Sequence, residues 1–391
     1  MVDPPSAQVW DVVVVGAGPA GASAARVAAE SGRDVLLLER AEVPRYKTCG
    51  GGLVGCSQDM LPPGLTLDVK DEVDRVTFGM DGRNERTKES RGPKAKMVFR
   101  SDFDAALTSA AAKAGASVRD RTAVQAIEEC DHEVLLRLSG GDRIRARAVV
   151  GADGSASRVA KFVGVRYRQV DLALELELPV DARTAEAWRG RALMEWGPFA
   201  GSFGWVFPKG DSCSVGVVGS RAESGRTREY LRTFLQRHDF DGIEPIHDTG
   251  HLTRCREPDS PLARERVLVA GDAAGLLDPW LREGISFALR SGALCGEAAA
   301  RVAAAEGPSE LRGATDRYER AVTASLGEEM TASEKLSAIF ARRPGLVHTA
   351  VTRVPGVWRK IDDYLTGRAA IPDLVGGPLV RPVVDVVKAL S

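Results

Sequence analysis

Four short stretches of this 391-residue chain hold residues whose types and spacing suit chemistry. The first is Gly16-Ala17-Gly18-Pro19-Ala20-Gly21, a G-x-G-x-x-G run between an apolar segment and an Ala-rich one. Here Gly16 permits a tight turn, Gly18 lets backbone approach a pyrophosphate on a positive helix N-terminus, and Gly21 lets helix and strand pack closely. Glu39 ends the next apolar run and can accept hydrogen bonds from ribose hydroxyls. The second stretch is Gly271-Asp272-Ala273-Ala274-Gly275, about 250 residues later, where a strand ending in Gly-Asp brings a carboxylate beside a sugar-like chain. The third, Val150-Gly151-Ala152-Asp153-Gly154-Ser155, also follows an apolar run. The fourth is Cys49-Gly50-Gly51-Gly52, bare backbone that a flat ring could approach, beside a small polarizable thiol. A nicotinamide dehydrogenase has no need of the second stretch. FAD has, because its ribityl chain and pyrophosphate must both be held.

The elements that position these residues follow from apolar periodicity. Val9–Val15 is β-branched and reads as a strand buried on both faces; an Ala-rich helix then runs to about Ser31, with Gly32 as its stop. Val35–Leu38 is a second buried strand, so the chain opens as β-turn-α-β, the start of a parallel sheet. Strand-like Val73–Phe78 precedes an amphipathic helix over Phe103–Ala114 capped by Ser101 or Asp102. Val118–Val124 and Val134–Leu138 alternate like strands of a meander, and Ala148–Gly151 is buried. Four Gly- and Pro-broken strand candidates follow: Leu172–Leu178, Ala192–Trp196, Gly204–Phe207 and Ser212–Val218. A helix at Thr227–Arg237 interrupts this inserted antiparallel sheet. Val267–Ala270 returns to the first domain, and the pattern is helical from Gly284 onward.

Composition narrows the class. Apolar residues make up 44% and charged residues 27%, ordinary for a globular chain, and a net charge of −1 supplies no field to recruit nucleic acid. The six cysteines are scattered, with no C-x-x-C pair, which suits a reduced cytoplasmic chain. Residues 1–8 carry no signal-like core and nothing approaches a membrane span, so membrane contact would be peripheral. His247, His251 and Cys255 stand at intervals of four, but no fourth ligand is apparent and no metal site is expected. Val383, Val384, Val386, Val387 and Leu390 have the spacing of a docking helix.

Together the three turn motifs resemble the FAD-binding group that includes aromatic hydroxylases, flavin halogenases and geranylgeranyl reductases. Two stretches choose within it. Pro44-Arg45-Tyr46-Lys47-Thr48-Cys49-Gly50-Gly51-Gly52 is similar to the P-x-x-K-x-C-G-G-G stretch of geranylgeranyl reductases, and Phe203-Gly204-Trp205-Val206-Phe207-Pro208-Lys209 to their aromatic-x-W-x-F-P-K motif. Residues 262–292 and Leu365-Thr366-Gly367-Arg368 read alike. The resemblance implies an α/β fold: a Rossmann-type FAD-binding domain in pieces (1–72, 95–160, 258–305), an inserted antiparallel β-sheet substrate domain (73–94, 161–257) and a helical C-terminal region (306–391). It implies FAD contacts at Gly16, Gly18, Ala20, Gly21, Glu39, Arg40, Lys47, Cys49, Gly50, Gly51, Arg100, Val124, Asp153, Gly154, Gly271, Asp272, Gly284 and Ile285. It implies a prenyl pocket at Gly52, Phe203, Trp205, Phe207, Pro279 and Trp280. One departure stands out: the family's G-E-G-I is Arg282-Glu283-Gly284-Ile285 here.

The activity so implied is saturation of C=C bonds in a geranylgeranyl-type chain of a lipid or isoprenoid, by hydride from reduced FAD. The proton would come from Cys49 or an ordered water. A single G-x-G-x-x-G leaves the electron donor, NADPH or reduced ferredoxin, to dock transiently. Two other classes stay open: an FAD monooxygenase or halogenase acting on a small aromatic or natural-product substrate, and a non-catalytic flavin redox carrier. The halogenase W-x-W-x-I-P stretch is only loosely echoed, with Phe203 at its first Trp position.

Overall fold

The computed structural model of the chain describes residues 8–92, 95–130 and 132–375; the docking helix expected near Val383–Leu390 lies outside them. In chain order the strands are β1 (Val9–Val15), β2 (Val35–Leu38), β3 (Gly52–Leu53), β4 (Val69–Val73), β5 (Arg75–Met80), β6 (Arg83–Glu89), β7 (Ala95–Val98), β8 (Ser117–Arg119) and β9 (Val124–Cys130). They continue as β10 (Glu133–Leu138), β11 (Arg143–Gly151), β12 (Tyr167–Pro179), β13 (Arg191–Trp196), β14 (Phe203–Pro208), β15 (Ser212–Ser220), β16 (His247–Arg256), β17 (Ala263–Arg264) and β18 (Val267–Val269). The helices are α1 (Pro19–Glu30), α2 (Arg100–Lys113), α3 (Arg158–Val163), α4 (Ala182–Trp188), α5 (Ser224–Arg237), α6 (Ile285–Ala304), α7 (Pro308–Val322), α8 (Glu328–Arg342), α9 (Pro344–Arg353), α10 (Pro355–Leu365) and α11 (Ile371–Val375).

The first sheet runs β17-β18-β11-β1-β2-β8, with the β9–β10 hairpin attached to β11. Its centre is parallel: β1 pairs with β11 and β2, β2 with β8, and β11 with β18. Val12, Val13 and Val14 are fully buried, each worth roughly 1.5–3 kcal/mol. Helices α1 and α6 pack back to back on small residues. A Cβ on Gly292 would overlap the Ala20 carbonyl, and one on Gly296 the Ala24 carbonyl. That close approach sets the spacing of two helix N-termini, at Gly18 and Gly284.

The second sheet runs β16-β12-β15-β14-β13-β5-β6, antiparallel except for β13–β5. One face packs on α5 through Leu176, Val206, Val215, Tyr230 and Phe234. The other carries Phe78, Trp196, Phe203 and Trp205 against Phe340, Val351, Trp358, Ile361 and Ile371 of the C-terminal helices. A third sheet, β3-β7-β4, is built from strands on either side of the β5–β6 hairpin in sequence.

Several expectations are corrected. Val73–Phe78 is not one strand: Asp74 separates β4 from β5. Val118–Val124 is likewise split, because Arg121 adopts a left-handed φ of 50°. Helix α2 starts at Arg100 with Phe99 as its N-cap, so Ser101 and Asp102 lie inside it and neither caps it. Strand β16 and helix α4 were not foreseen.

Candidate functional site

A cavity of about 650 Å³ runs from the first sheet's β1–α1 turn to the aromatic face of the second, a size usual for a cofactor or ligand pocket. At the turn, Glu39 is buried and its Oε2 accepts the Ala17 N–H at 3.0 Å. Arg45 Nε lies 3.1 Å from Glu39, and its Nη1 lies 3.0 Å from Asp104. Arg100 Nε bonds the same Asp104 at 2.8 Å. The position a Cβ would take on Gly18 is 3.7 Å from Arg45 Nη2 and 4.0 Å from Arg100 Nη2. Two guanidinium groups therefore face bare backbone at a helix N-terminus, a cradle for a doubly charged pyrophosphate. Asp153, Gly154 and Val124 line the cavity beside it, and Asp272, Gly284 and Ile285 line it farther on. These residues fit FAD: acid for ribose, cations and amides for pyrophosphate, a second helix N-terminus for the ring.

The loop Tyr46–Gly52 crosses this cavity. Lys47 Nζ is 3.1 Å from His251 Nε2, which in turn is 3.5 Å from Asp272 Oδ2. Burial pushes the Lys47 ammonium below the usual lysine range, against the pull of Asp272. Burial alone would raise Asp272, but the hydrogen bond from His251 and the Lys47 charge hold it low. Gly50 lies under two aromatic rings: a Cβ there would sit 2.5 Å from Phe207 Cδ2 and 3.6 Å from Trp205 Nε1. Alternation on β14 puts Phe203, Trp205 and Phe207 on one face, and all three line the cavity. Gly216, opposite Trp205 in the β14–β15 register, leaves room for the indole. Beyond them the wall is apolar: Phe78, Met194, Trp196, Trp280, Trp358 and Ile371.

Of the expected site residues, Ala20, Arg40, Cys49, Gly51 and Gly52 also line the cavity. Three expected residues do not. A Cβ on Gly21 would overlap the Gly16 carbonyl, so Gly21 serves helix–turn packing. Gly271 takes a φ of 57° and packs on Ala20. Pro279 turns its carbonyl to Gln169 Nε2 at 3.2 Å. Arg45, Tyr46, Glu175, His251 and Glu283 line the cavity but were not foreseen, nor was the wall from Val351 to Leu374. Arg45 and Tyr46 lay within a stretch already singled out; the charged residues of β12 gave no such signal.

Burial raises the Glu283 carboxyl to about 7, against hydrogen bonds from Ser286 N at 2.8 Å and Ser286 Oγ at 2.6 Å. Its ordinary value is 4.5. The folded state thus binds this proton more tightly than the unfolded state does. The resulting stabilisation is complete below an ordinary glutamate pKa and is lost as pH rises through about 7. Glu283→Gln is expected to flatten part of the fall in urea midpoint between about pH 5 and 8. An unchanged slope would place the titrating group elsewhere.

The FAD binding domain family matches residues 9–325. A digeranylgeranylglycerophospholipid reductase of Methanosarcina mazei is 33% identical over 318 residues, 74% of this chain and 75% of its own. The enzyme of the same name from Methanosarcina acetivorans is 30% identical over 356 residues, 83% of each. A geranylgeranyl bacteriochlorophyll reductase-like structure from Thermoplasma acidophilum has the same fold, with a TM-score of 0.79, 22% identity, and coverage of 98% of this chain and 100% of that one.

Proposed function

The chain belongs to the geranylgeranyl reductase family of FAD-dependent oxidoreductases, and from that premise we propose that it saturates C=C bonds of a geranylgeranyl-type chain carried by a lipid or isoprenoid. The observation that carries the reading is the continuity of the cavity. The charged cradle at Gly18 leads past the bare backbone of Gly50–Gly52 into a chamber walled by Phe203, Trp205, Phe207 and Trp280. Bound and reduced, FAD supplies hydride to one alkene carbon. The protein holds the chain in register, excludes water and keeps a proton source near the second carbon.

Gly16, Gly18, Glu39, Arg45 and Arg100 hold the adenosine and pyrophosphate end. Asp153 lies beside them at the turn, and Asp272 and Gly284 hold the rest. The inserted sheet and the C-terminal helices enclose the prenyl chain, so the substrate domain draws on residues from 73–94 and 161–257. Electrons arrive from NADPH or reduced ferredoxin docked transiently. Among the described residues no helix is long and apolar enough to cross a membrane.

The test is anaerobic. Flavoprotein reduced with dithionite is mixed with geranylgeranyl lipids, and flavin reoxidation is followed with mass analysis. Reoxidation with a gain of about two mass units per bond, one hydride plus one proton, is expected. A flavin that stays reduced until air is admitted, then yields an oxygenated or halogenated aromatic product, would overturn the proposal.

A further inference from the structure

Beneath the Cys49–Gly52 loop lie three buried ionisable side chains, Glu175, Glu177 and Lys209. Lys209 Nζ bonds Glu177 Oε2 at 2.9 Å, and both side chains are about 2% exposed. One ammonium balances one carboxylate. The second carboxyl, Glu175, has no cation of its own in hydrogen-bond contact among the described residues. It accepts the Cys49 N–H at 2.8 Å and the Tyr46 hydroxyl at 3.1 Å, both on Oε1. Its Oε2 is buried without a hydrogen bond of ordinary geometry, with the Ser214 hydroxyl as the remaining side-chain donor facing the carboxyl, and the residue forms part of the cavity wall. An ionised carboxylate so placed would be strongly penalised; a neutral acid would not. Burial accordingly raises Glu175 above the usual glutamate range, with Lys209 opposing.

We propose that the Glu175 carboxyl is the proton donor of the alkene reduction, refilled through the Tyr46 hydroxyl. This rests on the reading of the site as a prenyl reductase. The Glu175 O–H bond breaks and a C–H bond forms at the carbon that does not receive hydride, so hydride and proton together saturate the double bond. The carboxylate left behind takes a proton from Tyr46. Tyr46 is replenished along Thr249 Oγ1, at 3.5 Å, and Thr48 Oγ1, at 2.8 Å from Thr249, all half-buried. The groups facing Glu175 are Tyr46 and Cys49 from the loop, Ser214 from β15 and Lys209 beyond β14. Glu177 flanks it on its own strand.

Three measurements on the full chain test this. Infrared spectra of the apoprotein at neutral pH should show a protonated-carboxyl band that loses intensity in Glu175→Gln; Gln keeps the acceptor for Cys49 N–H. In the anaerobic reoxidation of dithionite-reduced holoprotein by geranylgeranyl lipid, Glu175→Gln should slow the flavin signal at least about 100-fold. Glu175→Asp should recover part of the rate. Cys49→Ala, which keeps the backbone N–H but removes the thiol, should cost less than about tenfold. The parent rate should fall as pH rises through the Glu175 titration. No change in the carboxyl band, or a Cys49→Ala defect exceeding that of Glu175→Gln, would overturn the assignment. A parent flavin that no prenyl lipid reoxidises overturns the reductase reading itself, and the donor role with it; the infrared band separates that failure from an ionised Glu175.

Discussion

Gly18→Ala is expected to leave the apoprotein folded while lowering FAD affinity at least about 100-fold, or about 3 kcal/mol. Gly18 has φ −79° and ψ −177°, extended backbone that alanine adopts without strain. The new methyl would meet only the cationic ends of Arg45 and Arg100, at 3.7 and 4.0 Å. It would also occupy the space where a pyrophosphate must reach the helix N-terminus, and each charge-assisted hydrogen bond forfeited there costs about 1.5–3 kcal/mol. Gly16→Ala differs in kind. Its φ of 102° excludes alanine, and the methyl would overlap the Ala152 carbonyl, so folding itself should fail. Flavin-fluorescence titration and urea unfolding of the apoprotein separate the two cases. Parental FAD affinity in Gly18→Ala would mean that the pyrophosphate crosses elsewhere.

The second large effect concerns Arg282. This arginine replaces a glycine of the family pattern, and its φ of 57° is left-handed, at a cost of about 1–2 kcal/mol. Reversion to glycine would relieve that cost. But Arg282 Nε bonds Asp171 Oδ2 at 2.9 Å, with both side chains over nine-tenths buried, and its Nη1 bonds the Trp280 carbonyl. Removing one partner of a buried pair costs about 3–5 kcal/mol, so the pair outweighs the strain. Arg282→Gly should therefore lower stability by about 1–4 kcal/mol. Adding Asp171→Asn, whose amide tolerates burial better, should restore most of it. A double-mutant cycle in urea reads the coupling directly. Additive effects would show that Asp171 finds another partner.

The parts of the fold visible in the sequence are those dictated locally. The β1-turn-α1-β2 unit follows from β-branched runs around a glycine turn, and the shared face of Trp205 and Phe207 follows from strand geometry. The parts that were not visible depend on contacts distant in sequence. Leu172-Ala173-Leu174-Glu175-Leu176-Glu177-Leu178 alternates like a strand with one wet face. In the fold both faces are covered, the leucines by α5 and the glutamates by the Cys49 loop, some 126 residues earlier. Arg121 carries no mark of its left-handed backbone. Helices α8–α11 read as helices, but nothing in their periodicity says that Trp358 and Ile371 complete the wall of a cavity begun at Gly16.

The back-to-back packing of α1 on α6 has a consequence for synthesis. The cradle at Gly18 emerges from the ribosome early, but its counterpart at Gly284 and the strand at Val267–Val269 come last of all the pieces that build the cavity's floor. At about 5–20 residues per second, roughly 15–60 seconds separate the first residue from the three-hundredth. Until β18 emerges, Val149, Val150 and Gly151 of β11 lack their parallel partner, and the small-residue face of α1 has no α6 to lie against. The nascent chain therefore passes through a stage with an exposed parallel edge and only the early half of its cavity. A product truncated before α6 lacks the helix terminus at Gly284 that completes the cavity.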